Sequence, residues 1–334
     1  MPTKIGQYDV SYVEKPAHPG YYIATSRETD FREIVEDAFN KQWNPLDYQK
    51  MYDPRQVLWA RLDSLPEEEA IQIANAALPG ANTEQMTTLL KEALIEKWIW
   101  ALKAITNQAA SAEQLAVSPL GQISERYKRT PTIELAAKTF ERDEGMHGDS
   151  FRFILEKVLG GKVIPGKSQV DAFWAFRHVL PKITLEGTLF LALTVEVVGT
   201  GFFEFFAENS PDPNLANLCR QIAYVDEKRH IRFIQKLYEE YKESSRIRFG
   251  KPWEDFRNKQ LIKQVGKKIY EQLTDPNQPF MQAIRSLGID PRKLLLHTFK
   301  RLEEELAKID FKFDPNIIAK DIIKEHAIES GAKI

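Results

Sequence analysis

Residues 143–147 read Asp-Glu-Gly-Met-His, and residues 226–230 read Asp-Glu-Lys-Arg-His. Ahead of each stands one more glutamate, Glu113 and Glu196. The two sets are in register: the offset is 83 residues from 113 to 196, from 143 to 226, from 144 to 227 and from 147 to 230. Residues three apart on a helix share a face, so Glu144 with His147, and Glu227 with His230, can each turn one oxygen and one nitrogen towards a common centre. One glutamate from each of two helices and a Glu-x-x-His from each of two others is the ligand set of a carboxylate-bridged two-metal centre in a four-helix bundle. The repeat therefore predicts an all-α chain with such a bundle at its core.

A single Glu-x-x-His is common on solvated helix faces and carries little weight. Here each copy is preceded by Asp and has a glutamate 31 residues upstream, from 113 to 144 and from 196 to 227. Glu196 also lies inside the apolar run TLFLALTVEVVGTGFF, where a lone buried carboxylate would be heavily penalised without a partner or a metal. Six ligands for two ions leave coordination positions open, the condition for a catalytic site. Oxygen-rich ligation with one imidazole per ion suits two Fe ions, with Mn/Fe as the alternative pairing.

Asp143 and Asp226 directly precede the ligand glutamates. A metal-bound imidazole donates its other N–H to a carboxylate or carbonyl, and the symmetry of the repeat predicts a crossed assignment, Asp226 to His147 and Asp143 to His230. Glu204 is a decoy two turns beyond Glu196, because only Glu196 keeps the register. Thr200, one turn after Glu196, either serves the catalytic centre or bonds back to the Glu196 carbonyl as intrahelical threonines do. Phe140, Phe151, Phe203 and Phe233 are helical neighbours of the ligands; they line an apolar substrate pocket or are plain core. His18, His178, His297 and His326 have no matching carboxylate spacing.

The rest of the 334 residues fits a single domain: 43 % are hydrophobic and 28 % charged, with 46 Lys and Arg against 48 Asp and Glu. A net charge of −2 provides no global field for nucleic acid or an anionic membrane. The lone thiol, Cys219, excludes an internal disulfide framework. The start carries no apolar leader segment, and the longest apolar run, 183–206, is broken by Glu186, Glu196 and Glu204. A cytoplasmic location is the expectation.

Along the chain, residues 1–28 read as an extended arm, 82–245 as the di-metal bundle and 246–334 as accessory helices that pack around it or make a homodimer surface. Helical spacing is expected over 31–39, 46–61 and 66–77. A long helix should start with Asn82 or Thr83 as cap and pass Glu113, with Pro119 as a stop or kink. The next runs from a Thr130 cap and Pro131 to Leu159. Further helices are expected over 168–178, from Pro181 to Asn209, from an Asp212 cap to Tyr241, and over 254–273, 291–309 and 315–328.

On these residues the chain resembles the ferritin-like di-iron carboxylate oxygenases and oxidases. Glu, about thirty residues, then Asp-Glu-x-x-His looks like the pattern of the p-aminobenzoate N-oxygenase family, and AEQLAVSP around Glu113 is similar to that family's first-ligand helix. NLANLCRQIAYVDEKRH and DEGMHGDS are similar to helices of soluble acyl-carrier-protein desaturases. The likeness covers about 100–240. The arylamine N-oxygenases carry an extra histidine where this chain has Ala223, which argues against N-oxygenation. Phe151 stands where reductase small subunits place a radical tyrosine. Thr200 occupies the position of a threonine near the metals in bacterial multicomponent monooxygenases.

The resemblance implies a non-haem di-iron enzyme that takes electrons from an external reductase or ferredoxin. It would activate O2 and oxidise a small or carrier-bound organic substrate by hydroxylation, N-oxygenation or desaturation. The competing expectation is a ferroxidase or peroxide scavenger with no organic substrate.

Overall fold

Among the described residues three Asp-Pro steps occur, and each opens a helix in the same way. The computed structural model describes residues 3–5, 8–10, 28–126, 131–166, 185–249 and 279–311, with positions 170 and 252. In chain order the elements are a two-stranded antiparallel ribbon, β1 (Thr3–Ile5) and β2 (Tyr8–Val10), then α1 (Glu28–Asn40), α2 (Pro54–Asp63), α3 (Glu67–Ala77), α4 (Thr88–Arg126) and α5 (Pro131–Phe153). After these come α6 (Leu185–Asn209), α7 (Pro213–Gln221), α8 (Glu227–Phe249), α9 (Pro279–Ser286) and α10 (Pro291–Ala307). Asp53, Asp212 and Asp290 each accept the backbone N–H two residues on, from Arg55 at 2.9 Å, Asn214 at 2.8 Å and Arg292 at 3.0 Å. The proline after each aspartate has no N–H to leave unsatisfied and its φ is already helical.

The helical reading holds, with local differences. The stretch 46–61 is not one helix: Pro45–Asp47 makes a single 3-10 turn, and the Asp53-Pro54 cap starts α2 afresh. The long helix begins at Thr88, because the Thr83 hydroxyl is engaged in a local turn with the Gln85 backbone (2.6 and 3.2 Å) while Thr87 accepts from Leu90 N–H. Pro119 does not stop α4, which continues to Arg126. A π turn, Ile154–Val158, carries α5 to Leu159, and Gly160 then reverses the chain at φ 65°. A second π turn, Ile222–Asp226, joins α7 to α8, which extends past Tyr241 to Phe249. Residues 3–5 and 8–10 pair as a ribbon, so the arm holds regular structure there. The expected starts at Thr130 and Pro181 and the helices over 168–178, 254–273 and 315–328 lie outside the described residues.

Among the described residues two apolar clusters form the core; the Glu-x-x-His residues of α5 and α8 lie between them, Glu196 sits beside Val197 at the edge of one, and the α4 residues leading to Glu113 belong to the other. On α5, Ile133, Ala137 and Phe140 belong to one cluster, and Phe151 and Ile154 just beyond the helix belong to the other. On α6 the change falls between Leu193 or Val197 and Phe203, and along α7–α8 between Ala223 and Ile231. Each fully buried Phe, Leu or Ile contributes about 1.5–3 kcal/mol, so both layers are strongly held. Leu189–Asn209 of α6 is long and apolar enough to cross a membrane by length and composition, but 72 % of its most apolar window is buried inside the protein. Its apolarity is spent on the core.

Helix α10 is fastened across α6 and α8 by polar groups and one close backbone approach. Glu204 meets His297 Nε2 at 3.2 Å and Arg301 at 3.7 Å. Buried Glu305 accepts from Gln235 Nε2 at 2.9 Å and from Lys308 Nζ at 2.7 Å. A Cβ placed on Gly201 would stand 3.1 Å from Thr298 Cα. Gly201→Leu should therefore lose about 1–3 kcal/mol to overpacking, more than the roughly 1 kcal/mol gained from helix propensity. Urea unfolding followed by circular dichroism measures it; a variant as stable as the native protein would show that α10 does not seat on Gly201.

Candidate metal centre

Glu113 comes from α4, Glu144 and His147 from α5, Glu196 from α6, and Glu227 and His230 from the first turn of α8. All six are buried, between 0 and 7 % exposed. They fall into two overlapping sets, Glu113, Glu144, His147 and Glu227 in one and Glu144, Glu196, Glu227 and His230 in the other. Within each set the ligating atoms all lie within 4.8 Å of one another. Glu144 and Glu227 belong to both.

The imidazoles turn Nδ1 into this centre. His147 Nδ1 is 3.0 Å from Glu113 Oε2 and 4.0 Å from carboxylate oxygens of both Glu144 and Glu227. His230 Nδ1 is 3.0 Å from Glu144 Oε1, 3.7 Å from Glu196 and 3.9 Å from Glu227. Despite that 3.0 Å separation, His230 Nδ1 and Glu144 Oε1 are not aligned as a hydrogen bond, and both are buried with no hydrogen-bond partner. Such orphaned atoms facing one point fit a cation between them.

The outer nitrogens make the crossed contacts. His147 Nε2 meets Asp226 Oδ2 at 2.9 Å, and His230 Nε2 meets Asp143 Oδ2 at 3.4 Å. One guanidinium nitrogen of buried Arg229 donates to both carboxylates, at 2.5 Å to Asp143 and 2.7 Å to Asp226. Arg142 adds two bonds to Asp143 Oδ1, at 3.0 and 2.7 Å. Trp43, in the segment after α1, donates its indole N–H to Asp226 Oδ2 at 2.6 Å and stacks parallel to His147 at 6.1 Å. The sequence reading passed over these three residues. Arg229 had a visible signal, since it shares a helical face with Asp226; Trp43 had none, being 183 residues from its partner.

Thr200 makes both contacts that the sequence left open: its hydroxyl is 2.7 Å from the Glu196 carbonyl and 3.3 Å from Glu227 Oε2. Glu204 stands apart from the cluster, on α10 partners. Phe140 stacks on His230 with ring centroids 3.7 Å apart and meets Phe233 edge-on, while Phe151 and Phe203 stack on each other at 5.6 Å. All four are core residues, 1–2 % exposed. A surface groove of about 510 Å³ lies elsewhere, on the outer side of the second π turn, lined by Tyr48, Arg220 and Tyr224 among others. That π turn ends on Asp226, so its extra residue sets the helical phase at which Asp226 and Glu227 point inward.

Burial, reinforced by the neighbouring carboxylates, drives Glu144 and Glu227 well above the ordinary carboxylate range. Burial and Glu113 push Glu196 up to about 8, although Glu227 and His147 act against them. Burial alone would lower His147, yet its bonds to Asp226 and Glu113 outweigh that and hold it well above its usual value. For Asp143 and Asp226 burial is overcome by the histidines and Arg229, and both are held low.

Helices that bring glutamates and Glu-x-x-His pairs into one buried layer define the ferritin-like class of helical folds. No protein-family model matches the chain, and no curated protein matches it. Among solved structures it is similar to an R2-like ligand-binding oxidase variant with a Mn/Fe cofactor (TM-score 0.54, 16 % identity, 86 % of this chain and 97 % of that one). It is also similar to a variant with an Fe/Fe cofactor (0.54, 17 %, 82 % and 91 %) and to a further Mn/Fe form (0.51, 18 %, 86 % and 96 %). At such identities the likeness is one of fold: this chain has the ferritin-like fold of those oxidases.

The raised groups fix how the metal-free protein responds to pH. Glu196 binds its proton more tightly folded than unfolded, so its contribution is complete below about 4.5 and is lost as pH climbs through about 8. Raised His147 acts in the same direction, and the depressed aspartates contribute a constant amount across this window. The melting temperature of chelator-treated protein should fall between pH 5 and pH 8, and loading with divalent metal should remove the fall. A flat or rising profile without metal would contradict the assignment.

Proposed function

We propose that this protein is a di-metal oxidoreductase that uses reducing equivalents and O2 to oxidise an organic substrate. The observation that carries the reading is the pair of overlapping buried ligand sets sharing Glu144 and Glu227. Four carboxylates and two imidazoles without a thiolate suit Fe/Fe or Mn/Fe, and the fold is one in which both pairings occur in other proteins. Bound there, the metals would supply the redox chemistry with O2.

The chain's own residues would hold and tune that centre. Glu113 and His147 would hold one ion, Glu196 and His230 the other, and Glu144 and Glu227 would bridge. Asp226 and Asp143 would fix each imidazole with its N–H outward, leaving Nδ1 free to ligate. The Thr200 hydroxyl, within reach of Glu227, would position a proton beside the centre. The apolar layers to either side keep water out. Hydroxylation and desaturation fit the site best, since Ala223, buried within the π turn, offers no further nitrogen ligand. An external electron donor is required by the stoichiometry of O2 activation.

Protein expressed with iron, or with iron and manganese, should hold about two ions per chain and consume O2 when reduced. Metabolites lost only when reduced enzyme and O2 are both present, followed by mass spectrometry, would identify the substrate class. Fewer than one ion per chain would sink the reading. O2 consumption coupled solely to iron oxidation would favour a ferroxidase. Glu144→Ala, which removes a bridge, should leave one ion or fewer per chain with helix content unchanged. Asp226→Asn should weaken metal affinity about 10–100-fold while the protein stays folded; equilibrium dialysis measures both.

A further inference from the structure

The 83-residue repeat matches in every ligand and in both aspartates, yet it breaks immediately before them. Asp143 is preceded by Arg142, whereas Asp226 is preceded by Val225. The structure makes this difference count. Asp226 faces one guanidinium: Oδ1 accepts from Arg229, and Oδ2 accepts from the neutral indole of Trp43 at 2.6 Å and lies 2.9 Å from His147 Nε2. Asp143 faces two: Oδ2 accepts from Arg229, and Oδ1 accepts from Arg142 Nε at 3.0 Å and its terminal nitrogen at 2.7 Å. Arg142 is itself held by the Ala38 carbonyl at 3.2 Å and by Gln42 at 3.3 Å. The histidine contact of the doubly paired aspartate is the longer one, 3.4 Å against 2.9 Å.

A carboxylate at the outer N–H of an imidazole strengthens the imidazole as a ligand. A second guanidinium on that carboxylate draws its charge away and also repels a cation approaching the same side. His230 is therefore the weaker of the two nitrogen donors that the repeat places in register. We propose that Arg142 makes the two metal positions unequal, so that the ion held by Glu113 and His147 binds first and more tightly than the ion held by Glu196 and His230. This rests on the di-metal reading of the site. Arg142 is a positioning residue: it acts on the metal through Asp143 and touches no ligand atom.

Anaerobic titration of metal-free protein with Co(II), followed by calorimetry and visible absorption, tests this. Wild type should fill in two resolved steps at least about tenfold apart. Glu196→Ala should keep the tight step and lose the weak one, and Glu113→Ala should do the reverse. Arg142→Gln should strengthen the second step about tenfold and close the gap, whereas Arg142→Lys, which keeps the charge, should retain most of it. Two equal steps in wild type, a tight step that survives Glu113→Ala, or a gap indifferent to Arg142→Gln would each overturn the proposal while leaving the metal centre intact. If Arg142→Gln fails to fold, Arg142→Met, which also removes the charge, takes its place, and a gap indifferent to it overturns the proposal in the same way. Wild type that takes up less than one ion would overturn both readings.

Discussion

Four carboxylates buried against one another cannot all be ionised in a dry interior, and the whole molecule is arranged around that constraint. Glu113, Glu144, Glu196 and Glu227 come from four different helices, so their repulsion acts directly against closing the bundle. Without a cation, protons must supply the compensation, which is why burial and mutual repulsion raise Glu144, Glu196 and Glu227. Two divalent ions do the same task at one point and release those protons. Metal affinity, pH and folding are then one linked equilibrium.

Around this layer the protein places what a polar cluster cannot supply. Apolar residues on both sides, with Phe140 and Phe233 in one cluster and Phe151 and Phe203 in the other, contribute the burial that keeps the helices together. Arg229 ties both aspartates, and so both imidazoles, to one guanidinium. Trp43 ties the segment after α1 to the same network, and Tyr52 ties it again by donating to Asp212, the cap of α7, at 2.6 Å. The segment between α1 and α2 thus serves the site as well as the core.

The clustering of the four glutamates and two histidines was legible in the sequence because helical periodicity and a constant offset are local properties, readable without knowing how the chain packs. The ferritin-like fold followed from it. The supporting network was not legible, for two physical reasons. Trp43 reaches Asp226 only through tertiary packing, and nothing in the segment around residue 43 signals a partner on a distant helix. The π turn over Ile222–Asp226 has no signature in the helical propensity of those residues. Pro119 shows the same limit from the other side: an intrinsic helix breaker was overridden within a 39-residue helix. Glu204 was set aside on register alone, and the structure supplies the physical reason, since its carboxylate is engaged by His297 and Arg301 on α10.

A duplicated ligand set does not imply duplicated chemistry. The carboxylates and imidazoles of the two halves match in type and spacing, but what stands behind them does not. Val225 leaves Asp226 to a single guanidinium and a neutral indole, while Arg142 gives Asp143 a second positive charge. A carboxylate shared between two cations has less charge to lend to an imidazole, and the longer contact to His230 is the geometric counterpart. One side chain outside the motif thus suffices to make two matching half-sites unequal, which a centre that must accept two ions in a defined order would need.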